Sequence, residues 1–254
     1  MAMARAERTF RTPALILRRF DLGEADRVLI VLTPDHGKID VIAKGARKLT
    51  SPRTGHVELF TRADMLVNAG RELGIAVQVE LVTPNMALSG DLKRGGCASY
   101  AAEITDRFIS PGESYPRALF DLLDATFSRI DADADPRLAL RYYEMHLLDM
   151  VGFRPELSEC VIGHEPIQPE DQFFSYAEGG VVCPRDATRG SQHVSIALPT
   201  LKLLRHLQRS HYDSVRPLQV ADALHDDAER IMLGYVTYML ERRPHSAELL
   251  RRLR

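Results

Sequence analysis

The chain has 254 residues, 45% of them hydrophobic and 27% charged, which is enough apolar material for a substantial core and excludes a disordered polymer. Its formal net charge is −2, and three cysteines, Cys97, Cys160 and Cys183, are too few and too scattered for a disulfide framework. The opening "MAMARAERTF" is basic but leads into no apolar run, and no window approaches the roughly 18 uninterrupted apolar residues of a membrane span, so a soluble chain of the reducing cytoplasm, with no membrane contact, is expected.

From residue 13 to about 82 the apolar residues are largely β-branched and come in short runs: "ALILRRF", "RVLIVLT", "KIDVIAK", "ELFTRADMLVN" and "IAVQVELV". The Gly, Pro and Asp of "DLGEAD" and "TPDHGK" suit tight connections, and "NAGRELG" suits a loop between the last two strands. Five short antiparallel strands are therefore expected. The connections are too short for crossover helices, which favours a small closed or nearly closed barrel over a parallel sheet.

After Pro84 the texture turns to Ala, Leu, Asp and Arg at helical spacing, in "GCASYAAEITDRFI", "YPRALFDLLDATFSRI" and "PRLALRYYEMHLLDMVGF". Pro116 and Pro136 sit where helices begin, a position at which a missing N–H costs nothing. Residues 155–195 lose the periodicity and gain four prolines, forming a loop-rich insert, before helices resume in "LPTLKLLRHLQRS", "PLQVADALHDDAERIMLGYVTYMLERR" and "ELLRRLR". The expected organisation is a barrel over 1–83, a helical domain over 84–154 and 196–254, and the insert over 155–195. The fold class is thus α+β.

Charge is unevenly spread. Residues 1–95 hold 15 basic against 11 acidic side chains, 96–190 hold 8 against 17, and 191–254 hold 10 against 7, so an anionic partner would meet the ends of the chain rather than its middle. The densest basic stretch is "HGKIDVIAKGARKLTSPRTG", which with the preceding strands offers Arg18, Arg27, Lys38, Lys44, Arg47, Lys48 and Arg53 as phosphate contacts. The alternative is a solvated barrel edge. Only Phe20 and Phe60 are near, so an electrostatic, sequence-tolerant grip is expected rather than a base-stacking platform.

Residues 14–48, "ALILRRFDLGEADRVLIVLTPDHGKIDVIAKGARK", resemble the N-terminal signature of the bacterial RecO family of recombination mediators, in the order strand, "GExDR" turn, "TPxHGK" turn and "AKGAR" segment. The similarity continues through "ASYAAEITDRF", "LLDMVGFRPEL" and "FSYAEGGVVC", and so over nearly the whole chain. It implies an OB-fold at the N-terminus, a helical domain behind it and a zinc-finger-like insert. It further implies single- and double-stranded DNA as ligands, and RecR and the C-terminal tail of the single-stranded DNA-binding protein as partners. The implied role is strand annealing and recombinase loading at the nucleoid.

Glu24, Asp26 and Arg27 look catalytic, but a charged turn whose carboxylates pair with Arg27 or cap backbone amides accounts for them, and no nucleophile accompanies them. In the insert, "ECVIGHEP" and "VVCPRD" stand against a family pattern resembling Cys-x-x-Cys repeated after some twenty residues. Cys160 and Cys183 hold the first and third positions, while Gly163 and Asp186 replace the second and fourth. His164 lies one residue past the lost cysteine, so Cys160, His164, Cys183 and Asp186 are the candidate ligands of a structural zinc. The alternative is a lapsed site, with the insert held by Phe173, Phe174 and Tyr176.

A catalytic zinc site is disfavoured because His164 and Glu165 are adjacent, where a nucleobase deaminase has H-x-E followed by P-C-x-x-C. No phosphate-cradling glycine loop is present, so no nucleotide cofactor is expected. Candidate cations for the acidic tail are Arg205, Arg209 and Arg216. The expected protein is a non-enzymatic mediator, the alternatives being a DNA-independent helical adaptor and a zinc-dependent enzyme acting on nucleic acid.

Overall fold

A computed structural model describes residues 9–47, 57–70, 73–113, 115–187 and 192–252. The chain forms two compact units, Met1–Asp131 and Ala132–Arg254.

The first unit opens with five strands, β1 (Thr9–Leu22), β2 (Asp26–Thr33), β3 (Gly37–Ala43), β4 (Arg62–Asn68) and β5 (Gly74–Thr83), closed into a barrel in the order β1-β2-β3-β5-β4. This is OB-fold topology. Closure rests on the length of β1, whose first half pairs with β4 from Thr9↔Asn68 to Leu15↔Arg62. Its second half pairs with β2 from Leu15↔Leu32 to Leu22↔Asp26, with a bulge between Ile16 and Arg18 where the strand changes partner. The strands are antiparallel as expected except where β3 and β5 meet in parallel through Val41↔Gly74 and Ile42↔Ile75. That pairing is the seam that closes the ring.

Alternate residues face inward, among them Ala14, Ile16, Leu29, Val31, Val41, Ala43, Ala63, Met65, Val67, Ala76 and Val79. The several alanines suit a narrow interior, and Met65 and the β-branched residues fill what remains. Burying each Val, Leu or Met is worth roughly 1.5–3 kcal/mol, which makes this alternation the main source of barrel stability.

Helices α1 (Met86–Gly90), α2 (Leu92–Phe108) and α3 (Arg117–Ala132) follow, and α2 packs against β1. Asp91 caps α2 by accepting from the amides of Lys93 and Arg94 at 2.8 and 3.1 Å. Three polar bridges tie helix to barrel. Lys38 Nζ donates to Asp106 Oδ1 at 3.0 Å and to the Asp106 carbonyl at 2.5 Å, Arg18 donates to Asp106 Oδ2 at 2.8 Å, and Arg62 donates to Asp124 Oδ2 at 2.7 Å. Phe60, at a left-handed φ of 63°, packs on Phe127 with ring centroids 5.6 Å apart. Helices α1 and α2 and all but the last residue of α3 fall in the same compact unit as the barrel.

In the second unit α4 (Pro136–Met150), α5 (Leu198–Arg209) and α7 (Asp222–Met239) pack on one another, with α6 (Tyr212–Val215) and α8 (Ser246–Arg252) completing the helices. The insert is more ordered than its prolines suggest. It holds three short strands, β6 (Gln172–Ser175), β7 (Gly180–Val182) and β8 (Val194–Ile196), in the order β7-β6-β8. Phe174 meets Tyr235 of α7 edge-on at 5.5 Å, and a Cβ on Gly234 would strike the Tyr176 ring, so the glycine in α7 is what lets the insert approach. Among the described residues no helix is long and apolar enough to cross a membrane.

Side chains of Lys38 and Asp106 are only 9% and 7% exposed, so deleting either leaves a buried charge behind. Lys38→Ala and Asp106→Ala should each cost about 3–5 kcal/mol, whereas Lys38→Met combined with Asp106→Leu should recover much of the loss. Urea denaturation of the three variants checks both expectations.

Candidate nucleic-acid interface and metal cluster

The barrel places the predicted DNA-contacting cations in two groups with different fates. The first surrounds Asp106. Lys38 is 7% exposed and both its contacts are internal, so it is a structural cation rather than a phosphate contact. Arg18 shares the same carboxylate yet keeps 48% of its side chain exposed, and its guanidinium lies 4.8 Å from the Phe20 ring centroid. Asp40 adds a further anion here. Burial pushes its carboxyl above the ordinary value, against the pull of Lys38.

The second group sits at the β1–β2 hairpin. The Gly45 amide donates to Asp26 Oδ1 at 2.7 Å, the Arg47 amide to the Ala25 carbonyl at 2.9 Å, and the Arg47 guanidinium to the Gly23 carbonyl at 2.9 Å. The "KGAR" segment is thereby clamped onto the "GEADR" turn, and Asp26 is an amide cap as the charged-turn reading expects. Arg27 is 17% exposed and lies 3.5 Å from both Asp21 and Glu58, while Arg19 also pairs with Glu58. Arg47 approaches Asp21 at 3.5 Å with 35% of its side chain exposed, and Lys44 is exposed beside it. Lys48 and Arg53 lie outside the described residues.

Sequence reasoning missed the anions of this network. Asp21 and Glu58 flank the basic stretch in the sequence, but only barrel closure brings Glu58 to Arg19 and Arg27. Of the two nearby aromatics, Phe60 is 8% exposed in the core, whereas Phe20 is 44% exposed and Leu22 beside it 42%. His36 is a turn residue, its amide bonded to Thr33 Oγ1 at 3.1 Å and its ring 4.0 Å from that of Phe10.

In the second unit, three of the four predicted metal ligands come together. Donor atoms of Cys160, Cys183 and Asp186 all lie within 4.8 Å of one another, a set that could hold a metal ion. His164 is not among them. It is exposed, at a left-handed φ of 57°, and its amide donates to the Cys160 carbonyl at 2.8 Å, so the residue serves the loop through its backbone. Cys183 Sγ lies 3.0 Å and Cys160 Sγ 3.4 Å from Asp186 Oδ2, and amides of Gly163 and Cys183 reach Cys160 Sγ at 3.4 Å.

Arg185, which sequence reasoning passed over, contacts Asp186 Oδ2 at 3.5 Å and Glu165 Oε2 at 2.5 Å. Burial, with the Asp186 hydrogen bond, pushes the Cys183 thiol above its ordinary value. The Cys183 hydrogen bond, joined by Cys160 and Arg185, holds Asp186 below the usual carboxylate range despite burial. Glu165, whose adjacency to His164 disfavours a deaminase-type zinc site, is engaged with Arg185.

The tail candidates are also engaged. Arg205 Nε donates to the Leu157 carbonyl at 2.6 Å, Arg209 to Ser158 Oγ, and Arg216 pairs with Asp133 at 2.9 Å while remaining 63% exposed. Burial, then the charge of Arg209, lowers the Arg205 pKa, so these two cations are neighbours on α5. His146 Nε2 lies 3.1 Å from the Leu207 carbonyl.

An OB barrel with a charge-clamped hairpin, followed by a helical unit carrying a small β insert, is the class of protein these elements define. The family model described as Recombination protein O N terminal matches residues 3–85, and that described as Recombination protein O C terminal matches residues 89–248. The chain is 38% identical over 244 residues to the DNA repair protein RecO of Roseiflexus sp. (strain RS-1), covering 96% of this chain and 86% of that one. It is 33% identical over 236 residues to the DNA repair protein RecO of Dehalococcoides mccartyi (strain ATCC BAA-2100), covering 92% of each, and 32% identical over 245 residues to that of Desulforudis audaxviator (strain MP104C), covering 96% and 97%. The chain belongs to the RecO family.

Cys97 and Cys160 are 2% and 1% exposed, and Cys183 is partly shielded with a raised thiol pKa. Ellman's reagent at pH 7.5 should therefore label the native protein slowly, Cys183 first, and reach three thiols rapidly only after denaturation. A fast native equivalent would contradict this burial.

Proposed function

We propose that this protein is a non-enzymatic mediator of recombinational DNA repair. It binds single- and double-stranded DNA through the barrel without base preference, anneals complementary strands, and helps load a recombinase onto DNA coated by single-stranded DNA-binding protein, with RecR as partner. The reading places it in the cytoplasm at the nucleoid. It needs no nucleotide.

The observation that carries the reading is the clamp of "KGAR" onto "GEADR", which presents Lys44 and Arg47 from a fixed backbone at the barrel edge. Arg18, stacked over exposed Phe20, extends the same strand hairpin. Exposed cations on a rigid edge neutralise phosphate and release counterions, and neutralising one strand lowers its repulsion for a second. Family membership and the names of the relatives point the same way. The helical unit would tether the complex to the coating protein's acidic tail, with Arg205, Arg209 and Arg216 as candidate cations, so that two weak contacts act as one strong one.

A salt titration of binding to fluorescent single-stranded DNA tests the reading. Lys44→Glu combined with Arg47→Glu should weaken binding and flatten the slope of log K against log salt by about 1.4, since each lost phosphate contact contributes about 0.7. Asp21→Asn removes the anion beside Arg27 and Arg47, and should strengthen binding and steepen the slope. Circular dichroism confirms that each variant is folded. A parent protein that binds no DNA at low salt would overturn the mediator reading in favour of the helical adaptor.

A further inference from the structure

We propose that the Cys160–Cys183–Asp186 cluster is a metal-free clasp, in which two thiols hydrogen-bond to one carboxylate and Arg185 supplies the positive charge. The first ground is where the carboxylate stands. A Cβ built on Gly163 would run into Asp186 Oδ2, with Asp186 Cγ at 3.4 Å and an Arg185 guanidinium nitrogen at 3.3 Å. Asp186 therefore reaches across into the space a side chain at 163 would need. Two of the four corners of a ligand set have merged into one, and glycine at 163 is the condition for it.

The second ground is distance. Tetrahedral zinc with Zn–S of about 2.3 Å and Zn–O of about 2.1 Å separates sulfur from oxygen by about 3.6 Å. Cys183 Sγ and Asp186 Oδ2 are 3.0 Å apart, too close to be adjacent corners of such a site, and suited to a direct S–H···O hydrogen bond. Cys160 Sγ makes the longer contact to the same oxygen at 3.4 Å.

The third ground is that the two thiols and Asp186 Oδ2, though not the buried Asp186 Oδ1, find hydrogen-bond or ion-pair partners within the chain. Cys160 Sγ accepts from the amides of Gly163 and Cys183, Asp186 Oδ2 accepts from both thiols, and Arg185 bridges Asp186 and Glu165 across the mouth of the cluster. A carboxylate with 0% exposure is tolerated because a guanidinium lies 3.5 Å away. The clasp then joins the Cys160–Glu165 loop to the turn after β7 without an ion, while Phe174 and Tyr176 anchor the insert on α7.

The test uses the full-length chain. Protein dialysed against zinc chloride and then against metal-free buffer should carry no zinc by mass spectrometric metal analysis, and its melting temperature should not change with EDTA. Asp186→Ala and Arg185→Ala should each lower the melting temperature by several degrees with no change in metal content. Gly163→Cys combined with Asp186→Cys should retain about one zinc per chain and become EDTA-sensitive. One zinc per wild-type chain, or a wild-type melting temperature that falls with EDTA, would overturn the clasp. So would an Asp186→Ala variant as stable as the parent, or a double-cysteine variant that takes up no metal.

Discussion

A lysine whose side chain is 9% exposed needs a compelling partner, and Asp106 supplies one by offering Lys38 both its carboxylate and its carbonyl. The pair bridges residues 68 positions apart and so defines how α2 meets the barrel. Its register is enforced by geometry as well as charge, because Arg18 takes the other oxygen of the same carboxylate. Gly37, immediately before Lys38, has φ +61°, and a Cβ there would press against the Glu113 carbonyl at 2.6 Å. The "HGK" sequence thus combines a turn only glycine makes easily with the cation that locks the neighbouring helix.

The same economy governs the hairpin. Motif segments far apart in function but close in the barrel bind one another: Asp26 caps the Gly45 amide, and Arg47 caps the Gly23 carbonyl. A basic signature is therefore first a folding device and only then a surface for an anion. Lys38 serves the interior and Arg27 pairs with the hairpin's own carboxylates, while Lys44, Arg47 and Arg18 keep solvent exposure on a backbone that these contacts stiffen. A pre-positioned cation loses less entropy on meeting phosphate than one on a mobile loop.

The insert solves a different problem with similar means. A three-stranded sheet of three- and four-residue strands buries too little to hold itself. It leans on α7 through Phe174, Tyr176 and Gly234 at one end, and is gathered at the other around a buried carboxylate between two thiols. Apolar packing, weighed from the sequence as the alternative to a zinc site, thus operates in the one segment together with a cluster of three of the four expected ligands.

Much of this was legible in the residues. Five strands, their turns, the long helices and their proline-marked starts all follow from periodicity and backbone chemistry, because local sterics fix them within a few residues. The family signature was readable for the same reason, since its glycines and prolines mark local turns. The parallel β3–β5 seam was not, because it joins strands that are not neighbours in the chain and exists only once β1 has paired on both sides. Nor was the fate of each cation. Lys38 and Lys44 are alike in sequence context, and only the approach of Asp106 buries one and leaves the other exposed. The insert shows the limit most clearly: the sequence named Cys160, Cys183 and Asp186, but proximity also offered His164, and it could not show that a carboxylate at 186 reaches into the room left by a glycine at 163. Spacing along a chain sets which side chains can meet; the folded backbone's directions decide which of them do.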